Sequence, residues 1–465
     1  MRKRLIRIIN NHHRIHKMSL SAYGKYHSPK LKKEFHSRIS EINPAEYLNV
    51  SQKPNLNVII IVIDALRNSN MSGQGYFRAT TPFLDSLKSR FTAICASSWT
   101  YPSVASILTG LYPHNHNATI TGKIKNFDKL ENFKKISDSI LTLPEILFLL
   151  RYRVYFGTAI DTAFHPLRGR VVPRRYDAVT RAEDLFNDLM KWITKNKGER
   201  LFAYVHLGDL HVPLNPPDDY RNFFGDVKEL IGINFWNYGK PEVHKSTDEG
   251  FQEYRVNREL LYDNTLRYVD GEIERLFHFL EDAGLVDSTV FIITADHGEE
   301  FWEHAEVEAK TFYDPRGCYG LGHGHSVFNE AIEVPLLISG PVPAIKPAHF
   351  VSTVDITPTI MDLLKVNHYM RFDGRSVFEA GKDRILLNEA SGYGYEKKAL
   401  IIGRYKLIYS KDDGIEWVFD LEKDPKEQHP IMDKEVTSVF VEKLHQILRE
   451  DEKRKIREIA RKTSL

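Results

Sequence analysis

Residues 57–64 read Asn57-Val-Ile-Ile-Ile-Val-Ile-Asp64, and this stretch decides the fold. Six β-branched residues in a row, with no polar residue among them, describe a strand covered on both faces. A strand with one wet face would alternate apolar and polar residues instead. The run therefore predicts a central strand of a largely parallel sheet, sandwiched between helices. It stops at Asp64, a carboxylate at the carboxyl end of the strand, where open α/β sheets gather their ligands.

Working outward, Val154-Tyr-Phe-Gly-Thr-Ala159, Leu201-Phe-Ala-Tyr-Val205, Val290-Phe-Ile-Ile-Thr294 and Pro335-Leu-Leu-Ile-Ser339 read the same way. Between them lie helical patterns such as 143–150 and 260–283. This alternation predicts an α/β fold, a mostly parallel central sheet flanked by helices. Asp209 and the Asp296-His297 pair also fall just beyond predicted strands. Past Asp355 the texture changes: 399–409 reads as a hairpin and 417–421 as a further strand, so a small antiparallel sheet is expected. Apolar residues at 436, 439, 440, 444, 447 and 448 have helical spacing for one buried face, and 449–462 reads as a solvated helix. The expected organisation is a basic N-terminal extension (1–54), a catalytic α/β domain (55–370), a C-terminal antiparallel sheet subdomain (371–430) and a helical tail (431–465).

The chain has 465 residues, 42% hydrophobic and 27% charged, enough to bury a sizeable core. A net charge of +2 gives no global field that would select nucleic acid, and none is expected as a partner. Two cysteines, Cys95 and Cys318, cannot form a disulfide framework, which points to a reducing compartment. With no adequate apolar signal segment and no stretch of about 18 apolar residues, the expected setting is cytoplasmic. Residues 1–54 carry twelve Lys and Arg against three Glu. That zone reads as a solvated extension or docking helix, with contact to an anionic membrane surface as the alternative.

The chemistry concentrates in Thr100-Tyr-Pro-Ser-Val-Ala-Ser-Ile-Leu-Thr-Gly110 and Thr294-Ala-Asp-His-Gly-Glu-Glu300. Pro102 suits the first turn of a helix that Gly110 would stop, leaving Thr100 at its N-terminus, where negative charge is favoured. A threonine hydroxyl needs a base or a metal to act as a nucleophile, and the same residue would equally suit a structural cap. Asp296 and His297 can share one cation if the backbone bends at Gly298. His206 reads as a packed strand histidine. Glu299, Glu300, Glu303 and His304 read as a solvated helix face, with a metal cluster as the alternative. The aromatic-rich stretch 220–251 reads as a pocket wall or as packing.

Beyond these readings, several segments resemble the alkaline phosphatase superfamily, in its sulfatase-like branch. They include Val62-Ile-Asp-Ala-Leu-Arg67, Thr80-Thr-Pro-Phe-Leu-Asp85, Thr100-x-Pro-Ser with Thr109-Gly110 and Tyr112-Pro113, and His206-Leu-Gly-Asp-Leu-His-Val-Pro213. Ala295-Asp-His-Gly-Glu299, Gly322-His-Gly-His325 and Val418-Phe-Asp-Leu-Glu-Lys-Asp-Pro425 continue the series. The resemblance implies a divalent metal held by Asp64, Thr100, Asp296 and His297, with Thr100 as nucleophile. It implies catalytic or substrate-binding roles for His211 and His325, and His323 stands in reserve. Alternatively, Asp209, His211 and His325 would hold a second cation.

Departures from the family pattern set the expected substrate. Sulfatases of this type oxidise Cys or Ser at the nucleophile position to an aldehyde, and a threonine cannot give that group. Ala65 replaces a metal-binding Asp and His297 adds nitrogen, which favours Mn²⁺ or Zn²⁺ while Ca²⁺ and Mg²⁺ stay open. The expected activity is hydrolysis of a phosphate mono- or diester. A sulfuric ester hydrolase, or a phosphotransferase acting on lipid or glycan headgroups, is the alternative, and the oligomeric state is left open.

Overall fold

The structure, a computed structural model, describes residues 29–49, 54–87, 89–125, 132–228, 239–241, 249–343, 351–379 and 384–463. Most of the basic extension (1–28 and 50–53) therefore lies outside the described residues, as do Phe235, Trp236 and Tyr238 of the aromatic stretch.

The run Asn57–Ile63 forms β1, and all seven of its residues are buried. On one side it pairs in parallel with β5 (Leu201–Leu207), in a register that sets Val62 against His206. On the other it pairs in parallel with β6 (Thr289–Thr294), with Val62 against Thr294. β2 (Ser89–Ile94), β3 (Arg153–Thr158), β4 (Arg174–Arg175), β9 (Glu333–Ser339) and β10 (Val351–Ser352) complete an eight-stranded sheet of order β10-β2-β9-β6-β1-β5-β3-β4. A two-stranded ribbon of β7 (Glu300–Phe301) and β8 (Leu321–Gly322) stands apart. The predicted fold class holds, with one correction. The Pro335–Ser339 stretch runs antiparallel to both β6 and β2. Its continuous apolar pattern reports burial on both faces and carries no information on direction.

The C-terminal sheet has four strands, β11 (Ile385–Asn388), β12 (Lys398–Ile402), β13 (Tyr405–Ser410) and β14 (Ile415–Asp420), all antiparallel. Gly403, at φ 59°, makes the tight β12–β13 turn. Leu400, Leu407 and Val418 bury against Leu444 of the Lys434–Thr463 helix. Val436, Phe440, Val441, Ile447 and Leu448 pack on the same cluster. Val439 is instead 65% exposed, because Val441 and not Val439 falls on the helical stripe set by the other apolar positions.

Both chain ends described here dock on the α/β core. In helix 29–41, Leu31 and Phe35 are buried, Phe35 meets Phe148 edge-on at 5.0 Å, and Arg38 pairs with Glu145. The charged end of the tail is not fully solvated as expected. Asp451 is buried, and its carboxylate meets His114 Nε2 at 2.8 Å, while His114 Nδ1 meets Glu389 at 2.6 Å. Among the described residues no helix is long and apolar enough to cross a membrane.

This carboxylate–imidazole–carboxylate bridge ties the tail to the main domain. Burial pulls the His114 pKa down, but Glu389 and Asp451 outweigh it and hold it up at about 9. A folded-state value above the unfolded value of about 6.5 gives stability that is fully present below pH 6.5 and lost as pH rises through about 9. Thermal melts followed by circular dichroism should therefore show the wild type losing stability between about pH 6.5 and 9.5, with a flatter profile in His114→Gln.

Candidate active site

Three neighbouring strands, β5, β1 and β6, deliver the polar cluster. Asp64 follows β1 directly, and its N–H donates to Leu207 O at 3.0 Å, extending the ladder by one residue. The chain then turns sharply at Ala65, whose φ of 60° is unusual for a residue with a Cβ. Tyr262, in the long Glu249–Asp282 helix, secures that turn. Its hydroxyl donates to Ala65 O at 2.7 Å and accepts from Arg67 N–H at 3.0 Å. Ala65 is thus where a tethered turn aims the preceding carboxylate.

Asp296 and His297 follow β6. His297 Nδ1 donates to Gly298 O at 2.8 Å, which in the neutral imidazole leaves Nε2 as the free lone pair facing the cluster. Gly298 is required by close approach, since a Cβ there would lie 2.0 Å from Glu330 O. The Glu330 carbonyl, and not a bend as expected from the sequence, is what demands glycine here.

Thr100 lies in the first turn of the Thr100–Thr109 helix, whose cap is Trp99, so the helix starts two residues before Pro102 and Thr100 is inside it. The Trp99 indole donates to Ala390 O at 2.5 Å, and Ser103 Oγ donates to Asp296 O at 2.5 Å, pinning this end of the helix to the sheet edge. Gly110 closes the helix in the left-handed region, at φ 69°. Thr100 Oγ1 comes to 3.3 Å from both Asp64 Oδ2 and His297 Nε2.

His206, read from the sequence as packing, joins this cluster from the end of β5. Its Nδ1 meets the Tyr204 hydroxyl at 2.9 Å, so the packed reading is half the story. Its Nε2 lies 3.1 Å from Asp64 Oδ2 and 3.6 Å from Asp296 Oδ2. The Val62–His206 register was the missing signal, since it puts His206 beside the strand end that carries Asp64. His297 Nε2 lies 3.4 Å from Asp296 Oδ2 and 3.7 Å from Asp64 Oδ1. All four side chains are fully buried.

Burial raises carboxylate pKa values, but the His206 hydrogen bond and the His297 and His211 imidazoles reverse this for Asp64 and keep it ionised. Burial and the neighbouring Asp64 charge raise Asp296. Burial lowers His297, keeping the ring neutral and able to donate its lone pair. Asp64 Oδ1 and Asp296 Oδ2 are buried with no hydrogen-bond partner. Two orphaned carboxylate oxygens facing imidazole nitrogens fit a divalent cation.

His211 and His323 line the same region. The His323 ring stands 4.1 Å from the His297 ring and 5.4 Å from the half-buried His211 ring. His323 Nδ1 donates to Glu299 at 2.7 Å, and Arg258 approaches Glu299 at 3.6 Å. The other two expected residues lie elsewhere. Asp209 accepts from Ala182 N–H at 3.1 Å at the start of the Ala182–Lys195 helix, and burial pushes its pKa up to about 7. His325 meets Glu300 and Glu308 in a separate buried group. Asp209, His211 and His325 therefore do not converge as a second cation site. Glu299, Glu300 and His304 are buried, not on a solvated helix face, because Glu300 opens β7 and the chain folds back on β8.

A hydroxyl, two carboxylates and two imidazoles thus meet at the carboxyl edge of this sheet. The chain belongs to the sulfatase family: the family model described as Sulfatase matches residues 56–366. A second, described as N-sulphoglucosamine sulphohydrolase, C-terminal, matches residues 317–454. Arylsulfatase K of Bos taurus is 28% identical, with 84% of this chain and 81% of that protein aligned. An arylsulfatase of Clostridium perfringens is 24% identical over 51% of this chain, and the chain spans 50% of that protein's length. Among solved structures, the phosphonate monoester hydrolase of Agrobacterium radiobacter superposes with a TM-score of 0.62 at 17% identity, covering 85% of this chain and 96% of that one. Members of the family generally use a divalent metal ion.

Tyr262→Phe removes the group that serves both Ala65 O and Arg67 N–H. Leaving those buried partners unsatisfied should cost about 2 kcal/mol in chemical denaturation, with no change in overall secondary structure.

Proposed function

We propose that this chain hydrolyses a phosphate ester, with Thr100 as the attacking residue. The observation that carries the reading is the Thr100 hydroxyl, 3.3 Å from Asp64 and from His297 at the first turn of its helix. Asp64, Asp296, His297 and His206 would hold the divalent ion, and Mn²⁺ or Zn²⁺ suits their mixed donor set. When bound, that ion supplies Lewis acidity that favours the alkoxide form of a nearby alcohol.

Thr100 Oγ, its proton released to solvent, attacks phosphorus as the bond to the departing alcohol breaks. The free N–H groups of the helix's first turn face the negative charge that develops. His211 or His323 donates the proton that the departing oxygen takes. Water then cleaves the phosphothreonine ester, returning Thr100 to its hydroxyl form. An acceptor alcohol in place of water would make the same site a phosphotransferase.

The threonine supports phosphate, because its secondary alcohol cannot become the aldehyde on which sulfatases of this type depend. The names of the relatives, arylsulfatases among them, support a sulfuric ester as the second reading. A panel of aryl phosphate, bis-aryl phosphate and aryl sulfate decides between them after reconstitution with Mn²⁺ or Zn²⁺. Phosphate turnover is expected to lead, to vanish with a chelator, and to fall at least about 10³-fold in Thr100→Ala. Full activity in that variant would end the covalent step.

Residues 1–28 hold seven Lys and Arg and no Asp or Glu. Their charge supports peripheral contact with anionic lipid from a cytoplasmic setting. In co-sedimentation, the full chain should follow phosphatidylserine vesicles at low salt, and a chain lacking residues 1–28 should stay in the supernatant.

A further inference from the structure

Outside the Asp64 cluster, three buried side chains converge without enough protons to satisfy one another. Glu300 opens β7, Glu308 lies in the Ala305–Thr311 helix, and His325 sits in the turn after β8. They are 0%, 0% and 2% exposed. His325 Nε2 stands 2.9 Å from Glu300 Oε2 and 3.1 Å from Glu308 Oε2.

One imidazole nitrogen carries at most one hydrogen, so it cannot serve both carboxylates. Glu308 Oε2 takes it, and also accepts from Gly320 N–H at 2.6 Å. Neither oxygen of Glu300 then receives a hydrogen bond, nor does Glu308 Oε1, and His325 Nδ1 is unpartnered as well. Orphaned buried carboxylate oxygens of this kind are costly unless something positive sits between them.

We infer that Glu300, Glu308 and His325 form a second divalent-cation site, suited to Zn²⁺ or Mn²⁺, that shares no residue with the Asp64 cluster. Two carboxylates and a neutral imidazole sum to a charge that one dication cancels. One nitrogen and carboxylate oxygens in a closed, water-poor setting match Zn²⁺ or Mn²⁺ better than Ca²⁺, which takes six to eight oxygens. Without the ion, the same neutrality takes two protons.

The site joins β7, the helix that follows it and the turn Gly322-His-Gly-His325. That turn also carries His323, whose ring faces His297. The second ion therefore positions a wall of the reaction site and does not touch the substrate.

The test is the metal content of full-length protein, stripped with chelator, dialysed against Zn²⁺ or Mn²⁺ and measured by mass spectrometry. About two equivalents are expected in the wild type and about one in each of Asp64→Asn and Glu300→Gln. Two equivalents surviving in Glu300→Gln, or a single equivalent that Asp64→Asn abolishes, overturns the site. A single equivalent lost in Glu300→Gln and kept in Asp64→Asn supports it, and instead removes the metal from the proposed reaction. If Glu300→Gln does not fold, calorimetric titration of wild-type apoprotein with Zn²⁺ decides. Two binding events are expected. A single event overturns the proposal.

Discussion

Two carboxylates, Asp64 and Asp296, are buried side by side at the carboxyl edge of a mainly apolar sheet, and the surrounding structure answers to that fact. Like charges in a water-poor setting are strongly unfavourable unless positive charge or donors face them. Here the answer comes from separate elements: His206 from β5, His297 from the end of β6, and the first turn of the Thr100 helix. The three central strands fix the spacing of these groups through their register, so the apolar core and the polar site are two consequences of the same pairing. Shifting β5 by one residue against β1 would turn His206 to the other face of the sheet.

Precision at the edge comes from tethering of the turns that leave it. The left-handed Ala65 is held by a tyrosine from a helix packed across the sheet. The Thr100 helix is held through Trp99 and Ser103 to Ala390 and to Asp296. Ala390, itself at φ 63°, lies just past β11, so the small C-terminal sheet braces the helix that presents Thr100. That is a physical reason for an accessory sheet to accompany the larger domain.

How much could be read beforehand follows from which forces act locally. β-branched runs report burial, so β1, β3, β5 and β6 were legible, as were the acids at their carboxyl ends. Strand direction depends on the connection, so β9 was not. His206 looked like packing because its second partner, Asp64, lies 142 positions away. His325 carried the right motif, but its neighbours Glu300 and Glu308 are set by a two-stranded ribbon with almost no sequence signature. The residues that the resemblance implies as metal ligands lie together, whereas Asp209 is drawn off by a helix N-terminus in need of an acceptor.

The site's parts are also widely spread along the chain. Thr100 lies 36 positions after Asp64 and 197 before His297. During synthesis, β1 emerges before both of its neighbours and must wait for β5 and then β6 before its two flanks are closed. Until then, its row of unpaired backbone groups is an open edge with a strong tendency to find the wrong neighbour. No cation can be captured in native fashion until the ribosome has passed His297. The polypeptide therefore commits to its architecture late, and helpers that shield nascent strands would act during that interval.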